Sequence, residues 1–461
     1  MKDVSTLAKI VSVTNQLILQ SRQRQRRLLL ELLEEEEATN EGTRLDCPTI
    51  PRIRKSVRQI FRELGPNYFR RSFRMRWSTF KQLYFTLKPF LVQVIQPAPL
   101  KKRKRSPNGP IALPVRLAVC LRFFAGGDAY DIAVMFGISH SSVFTSVDYV
   151  IDAINLCDND SMKIEFPSDH TKQLEIANAL KKRSDADFDC CAGLIDGIII
   201  WTHKPSEEDC IETGVSSKKY LCGRKHKFGL NCQAVCDDKK RFMDISILFG
   251  ASASDHLAFE LSDLRQKLST PGFLHEMLCL FGDNAYVNTR YMATPYANIG
   301  EDMDKDAYNF YHSQLRILIE CAFGLLVQRW GFLRKKAPQQ FTMRKIQAAV
   351  YSLCKLHNYL INVNDEVPIE NSQEDQLNLT VSGAVPLASR VRHSHRVTGL
   401  PLQLLDAGDH FDDDPTRQYR NAHRRSGNVV LPRESMFNQI CESNLRRPVY
   451  NINRRNGQRR R

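Results

Sequence analysis

No stretch of the 461-residue chain approaches the roughly 18 uninterrupted apolar residues that a membrane-spanning helix needs, so no transmembrane segment and no membrane partner are expected. The N-terminal run LAKIVSVTNQLILQSRQRQRRLLLELLEEEE scatters polar residues through short apolar stretches. That pattern is wrong for a signal peptide and suits an amphipathic helix, which points to an intracellular chain. A zinc framework is missing too: Cys232 and Cys236 lie four apart with His226 nearby, but no second ligand pair at zinc-like spacing follows. The thirteen cysteines are an odd number, and Cys120, Cys232, Cys279 and Cys354 sit in core-like segments, so reduced, buried thiols are expected rather than a disulfide scaffold. An acidic excess is absent as well. Lys plus Arg number 66 against 51 Asp plus Glu, and the net charge of +15 favours a polyanionic partner such as nucleic acid or an anionic membrane surface, between which charge alone does not choose. With 42% hydrophobic residues the chain is neither disordered nor fibrous, and its length suits about two to three domains.

Four segments follow from the pattern. Residues 1–48 read as an amphipathic helix and a linker that starts in the acidic run EEEEATNEG. Residues 49–165 read as helical, with NYFRRSFRMRWSTFKQLYFTLKPFL carrying aromatics and leucines at helical spacing. The cluster Lys101 to Arg105, followed by Ser, Pro and Gly, interrupts them as an exposed loop suited to phosphate contact or nuclear import. Residues 166–365 form an α/β region, and 366–461 lose periodicity and end in LRRPVYNINRRNGQRRR, read as a largely flexible basic tail.

Within the helical segment, Leu117, Leu121 and Phe124 share one helix face, Gly126-Gly127 breaks it, and Ile132 to Phe136 make a short second helix. Gly137 then turns the chain and Ser139 caps a third helix through Val143, Val147 and Val150. This is a helix-turn-helix layout that exposes His140, Ser141, Ser142 and Thr145 at the start of the last helix as candidate DNA contacts. The third helix carries no Lys or Arg to hold phosphates, so it can equally be a packing unit.

From about residue 186 the pattern becomes that of strands. DCCAGLIDGIIIW, KFGLNCQAVCDD and RFMDISILFG read as three successive strands, followed by a helix in SDHLAFELSDLRQKL. A strand in MLCLFGDNAY and a long helix in NFYHSQLRILIECAFGLLVQRWGFL complete an α/β pattern with a mixed sheet. Three acids stand out. Asp196 lies inside the apolar GLIDGIII and needs a partner if buried. Asp283 closes an apolar strand, where ligands commonly lie in open α/β sheets. Glu320 belongs to a largely apolar helix on which His312, Arg316 and Glu320 share one polar stripe. An intrahelical pair with Arg316 is the plain explanation for Glu320; turn or capping chemistry is the plain one for the aspartates. Hard divalent cations take oxygen ligands, and convergent carboxylates can hold two such ions roughly 4 Å apart for in-line displacement at phosphorus.

GLIDG, GDNAY and HSQLRILIECAFGLLVQRWGFL, with acids spaced by 87 and then 37 positions, resemble the DDE transposases of the PIF/Harbinger superfamily and the nucleases derived from them. FRRSFRMRWSTFKQL, LRFFAGG with FGISHSSV, and NCQAVCDDKKRFMDISILFGASASDHLAFE extend the similarity to about residues 60–365. The resemblance implies an RNase H-like fold with Asp196, Asp283 and Glu320 as catalytic, metal-binding triad, and Mg²⁺ or Mn²⁺ as cofactor. It also implies action in the nucleus on double-stranded DNA at transposon ends, a homo-oligomer on DNA, and a Myb-like partner protein. Asp255 matches an aspartate that the family usually keeps, and with His312 and Arg316 it is an accessory candidate. The chain departs from the family where SASD replaces a more usual Gly-Ser-x-x-Asp and where Cys321, rather than Arg, follows the glutamate.

Lys218, Lys219, Arg224, Lys225, His226 and Lys227 cluster between the first two strands and are expected to grip phosphates. The expected activity is metal-dependent DNA cleavage and strand transfer. The alternative is a domesticated, non-catalytic DNA-binding protein that keeps the fold; a small-molecule phosphatase fits the basic surface poorly.

Overall fold

The computed structural model describes residues 52–95, 109–366 and 431–448. Nearly all of them fall in one compact unit, Arg54–Arg103 with Pro110–Arg461. The expected N-terminal helix, the Lys101 to Arg105 cluster and the terminal arginine run lie outside the described residues. No described helix is long and apolar enough to cross a membrane.

Six helices come first: α1 (Val57–Phe73), α2 (Trp77–Ile95), α3 (Leu113–Phe124), α4 (Ala129–Phe136), α5 (His140–Leu156) and α6 (His170–Lys181). Gly65, at φ 72° and followed by Pro66, kinks α1. The carboxylate of Asp128 caps α4, and Gly137 ends it in the left-handed conformation at φ 62°. The Ser139 hydroxyl then accepts the Ser142 N–H at 3.2 Å and starts α5, as the local sequence predicts. Val143, Val147, Val150 and Ile154 of α5 are buried against α2, α3 and α11 (Met343–Asn362), which makes α5 the centre of the helical layer.

The remaining elements are β1 (Cys191–Trp201), α7 (Glu207–Thr213), β2 (Leu221–Cys222), β3 (Lys227–Cys236), β4 (Phe242–Gly250), α8 (Asp255–Glu260), α9 (Asp263–Ser269), β5 (Cys279–Phe281), β6 (Met292–Ala293), α10 (Met303–Arg329), α11 and α12 (Pro432–Glu442). The sheet runs β2-β3-β1-β5-β6, with β4 also paired to β3. β1, β5 and β6 are parallel to one another, while β3 is antiparallel to β1 and β4. This mixed sheet with helices is consistent with an RNase H-like domain. Asn358 of α11 caps the β4 edge, donating to and accepting from the backbone of Phe242 at 2.8 Å, and Gln347 donates to Ile247 O at 2.7 Å.

Several element boundaries differ from the sequence expectation. The single helix expected at 254–268 is two, because the Ser262 hydroxyl accepts the Arg265 N–H at 3.2 Å and caps a second helix. β2 and β6, two residues each, carry too little pattern to be read. α12 lies within the stretch read as tail; it buries Met436 and Ile440, one turn apart in an otherwise polar segment. The twelve described cysteines are free, and burial pushes the Cys232 thiol up to about 12, so the buried-thiol expectation stands.

Candidate active site

Alternation along β1 sorts the polar groups between the two faces of the sheet. Asp196 pairs with Ala234 of β3 and points to the face covered by α10, whose Leu315, Ile319 and Ala322 are buried there. Asp283 follows β5, which runs parallel to β1, so both acids lie toward the same strand ends. Glu320 comes from α10.

Arg316 links them. Its Nη1 donates to Asp196 Oδ2 at 3.0 Å and its Nη2 to Glu320 Oε1 at 2.5 Å, so one guanidinium serves two carboxylates 124 positions apart in the chain (320 minus 196). All three side chains are mostly buried, at 16% exposure for Arg316, 20% for Asp196 and 21% for Glu320. Asp196 also accepts its neighbour's N–H, from Gly197 at 2.8 Å, and Asp283 accepts the N–H of Ala285 at 2.9 Å.

The charges of the neighbouring acids act on Asp196 and on Asp283. Burial pushes Asp196 up to about 7; Arg316 pulls it down, while the charges of Asp283 and Glu320 push it up. Burial likewise raises Asp283, opposed by the Ala285 N–H and Arg316 and reinforced by Asp255 and Glu320. Burial works against the Arg316 cation, but Asp196, Glu320 and Asp283 together outweigh it and raise its pKa.

Asp255 stands on the other face. A Cβ on Gly197, directed away from the Asp196 side, would run into the Asp255 carboxylate and lie 2.5 Å from Gln233 Nε2. Asp255 Oδ1 accepts from Asn231 Nδ2 at 3.0 Å and Gln233 Nε2 at 2.7 Å, and the Tyr286 hydroxyl donates to Gln233 Oε1. The amides are buried and fixed. Sequence reading missed Asn231, Gln233 and Tyr286. The usable signal was NCQ, two amides two residues apart on a strand and therefore on one face.

His312 does not join the polar stripe. It is fully buried, stacked on Phe281 with ring centroids 4.7 Å apart, and its Nε2 lies 3.1 Å from Ala293 O. Burial lowers it to about 3, so it is a neutral part of the core beneath the strand that leads to Asp283.

The basic cluster forms the β2–β3 hairpin and the turn before it. Lys218, Lys219, Arg224, His226 and Lys227 are exposed and Lys225 half-buried, and Lys227 Nζ lies 5.7 Å from the Trp201 ring centroid. The backbone of Lys219 is pinned by Ser252, whose hydroxyl and N–H donate to its carbonyl at 2.7 and 3.2 Å. Because Trp201 pairs with Gly229 and Asp196 with Ala234, the hairpin lies beyond the C-terminal end of β1, about 17 Å of strand past Asp196. At the start of α5, His140 is half-buried and stacked on Tyr130 at 4.2 Å, Ser141 is exposed, and Ser142 hydrogen-bonds Ser139 at 2.7 Å. The exposed residues Asp128 and Asp131 of the preceding turn and helix add negative charge beside them.

Residues 195–358 match the family model of the DDE superfamily endonuclease. No curated protein and no solved structure matches the chain. The matched span contains Asp196, Asp255, Asp283, Arg316 and Glu320 together with the basic hairpin, and it supports a DDE transposase-like nuclease domain. Among the described residues, no three His, Cys, Asp or Glu side chains stand as a group able to hold a metal ion. By donor chemistry the three acids nonetheless fit a hard divalent cation: all are carboxylates, the charges of Asp283 and Glu320 raise the pKa of Asp196, and the cation that pairs with Asp196 and Glu320 is an arginine.

Proposed function

We propose that the chain is a metal-dependent DNA endonuclease and transposase that cuts phosphodiester bonds at transposon ends and joins the freed 3′ hydroxyl to target DNA. The observation that supports this reading is that Asp196, Asp283 and Glu320 all lie inside the span that matches the DDE endonuclease, with Arg316 joining Asp196 to Glu320 and the charges of Asp283 and Glu320 both acting on Asp196. Endonucleases of that superfamily generally use divalent metal ions. Asp196, Asp283 and Glu320 would hold Mg²⁺ or Mn²⁺, which when bound supplies Lewis-acid stabilisation of the attacking and leaving oxygens. The chain's own contribution is placement. β1 and α10 fix Asp196 and Glu320, the Ala285 N–H orients Asp283, and the β2–β3 hairpin offers five exposed basic or titratable side chains at the C-terminal end of the same strand. Sequence-independent phosphate contact by Lys218, Lys219, Arg224, Lys225 and Lys227 would bring the duplex to that end.

The first turn of α5, with His140, Ser141 and Ser142, would add DNA contacts in a helix-turn-helix. Assembly of two or more copies on DNA, a Myb-like protein partner and action in the nucleus complete the reading.

Supercoiled plasmid and an end-labelled duplex, each with Mg²⁺ or Mn²⁺, test it. Wild-type protein should nick both only with a divalent ion, and Asp196→Asn, Asp283→Asn and Glu320→Gln should each lower the rate by about 100-fold or more while leaving the fold intact. Wild-type rates in any of the three would overturn the assignment. One observation favours the second reading, a non-catalytic DNA-binding protein: Arg316 already pairs with two of the three acids. Tight DNA binding with no cleavage by the wild type, and binding unchanged in the three variants, would decide for it.

A further inference from the structure

The ion pairs of Arg316 occupy the oxygens that a divalent cation would need. Asp196 has both carboxylate oxygens engaged, Oδ2 by Arg316 Nη1 and Oδ1 by the Gly197 N–H, and Glu320 Oε1 is held by Arg316 Nη2. A second cation entering between Asp196 and Glu320 would meet the guanidinium at contact distance, and two positive charges cannot share those oxygens without strong repulsion. The two arms of the guanidinium match the two carboxylates as a fork, an arrangement that a point charge on a flexible stem does not reproduce. The Arg316 side chain is mostly buried beside the two acids, with 16% of its surface accessible.

We propose that Arg316 is an internal cation that competes directly with divalent metal for Asp196 and Glu320, holding the site charge-compensated until the metal displaces it. This rests on the metal-dependent nuclease reading. The consequence is thermodynamic: the energy needed to withdraw the guanidinium is subtracted from metal binding, so apparent affinity is lower than the carboxylates alone would give. Releasing the fork raises it.

Binding of Mn²⁺ to DNA-free protein, followed by the loss of the free Mn²⁺ paramagnetic resonance signal, reads this without any turnover. Arg316→Gln should bind Mn²⁺ about tenfold more tightly than wild type, and Asp196→Asn in that background should remove the gain. Arg316→Lys separates competition for oxygens from net charge, because it keeps the charge and loses the fork. It should bind Mn²⁺ more tightly than wild type but less tightly than Arg316→Gln, and as the milder change it carries the test should Arg316→Gln not fold. Equal affinity of Arg316→Lys and wild type would overturn direct competition. Weaker binding in both variants would overturn it too and make Arg316 a positioning residue for the carboxylates. In either case the nuclease reading survives if wild type still cuts DNA with Mn²⁺. No Mn²⁺ binding by any of the proteins, with no cleavage, would remove both.

Discussion

Two acids meet β1 from opposite faces and are neutralised by different means. Asp196 is balanced by a charge, the Arg316 guanidinium that also holds Glu320. Asp255 is balanced by neutral dipoles, the amides of Asn231 and Gln233, themselves buried and tied to Tyr286. The difference teaches what each acid can do. The amide donors are buried on β3 and hold the Asp255 carboxylate through two hydrogen bonds. Asp196 and Glu320 instead share one arginine, the cation that a metal would have to displace. The Asp255 charge still raises the pKa of Asp283, so the two acids are linked electrostatically across the sheet.

The largest effect expected from breaking this comparison is at Gly197, where the two faces are one atom apart. Gly197→Ala pushes a methyl group into the Asp255 carboxylate and to 2.5 Å from Gln233 Nε2. An overpacked, immobile network of this kind should cost about 2–3 kcal/mol of stability, read by urea unfolding. A loss below about 0.5 kcal/mol would mean that the Asp255 side yields as easily as the Arg316 side, and the contrast would fail.

A smaller effect separates the core side of α10 from its charged side. His312 and Arg316 are one turn apart, yet His312 is neutral and buried against Phe281. Its folded pKa of about 3 lies below the ordinary histidine value of 6.5. The unfolded chain therefore binds the extra proton between those values, so the neutral ring's contribution is complete above pH 6.5 and is lost as pH falls toward 3. At pH 5 the loss from this one group is about 2 kcal/mol, from 1.5 pH units at about 1.4 kcal/mol each. His312→Phe, which preserves the stacking, should reduce the drop in stability between pH 7 and pH 5 by about that amount. An unchanged drop would place the acid sensitivity elsewhere, with His357, lowered to about 4 by burial, the next group to test.

The acids themselves were legible in the sequence because a charge inside an apolar run is conspicuous, as in GLIDG and CLFGD. Their partners were less so. The Arg316–Glu320 pair is four residues apart on one helix and was anticipated; the Arg316–Asp196 pair spans 120 positions and depends on α10 packing across β1. The same packing turned His312 inward: i, i+4, i+8 spacing drifts around a helix, so the three residues do not share one environment. For Asp255 the family resemblance suggested an accessory place, and only strand alternation through Gly197 assigns it to the opposite face. In the helical layer the cap Ser139 and the turn at Gly137 were readable because they act locally, whereas the Asp128 cap was not read.

The most direct test of the central claim is anomalous diffraction from crystals of the DNA-free protein soaked in Mn²⁺. Manganese is expected on Asp196 and Glu320, with the Arg316 guanidinium moved off Asp196 and the Asn231 and Gln233 bonds to Asp255 unchanged. Manganese bound elsewhere, with Arg316 still bridging Asp196 and Glu320 at saturating metal, would contradict it.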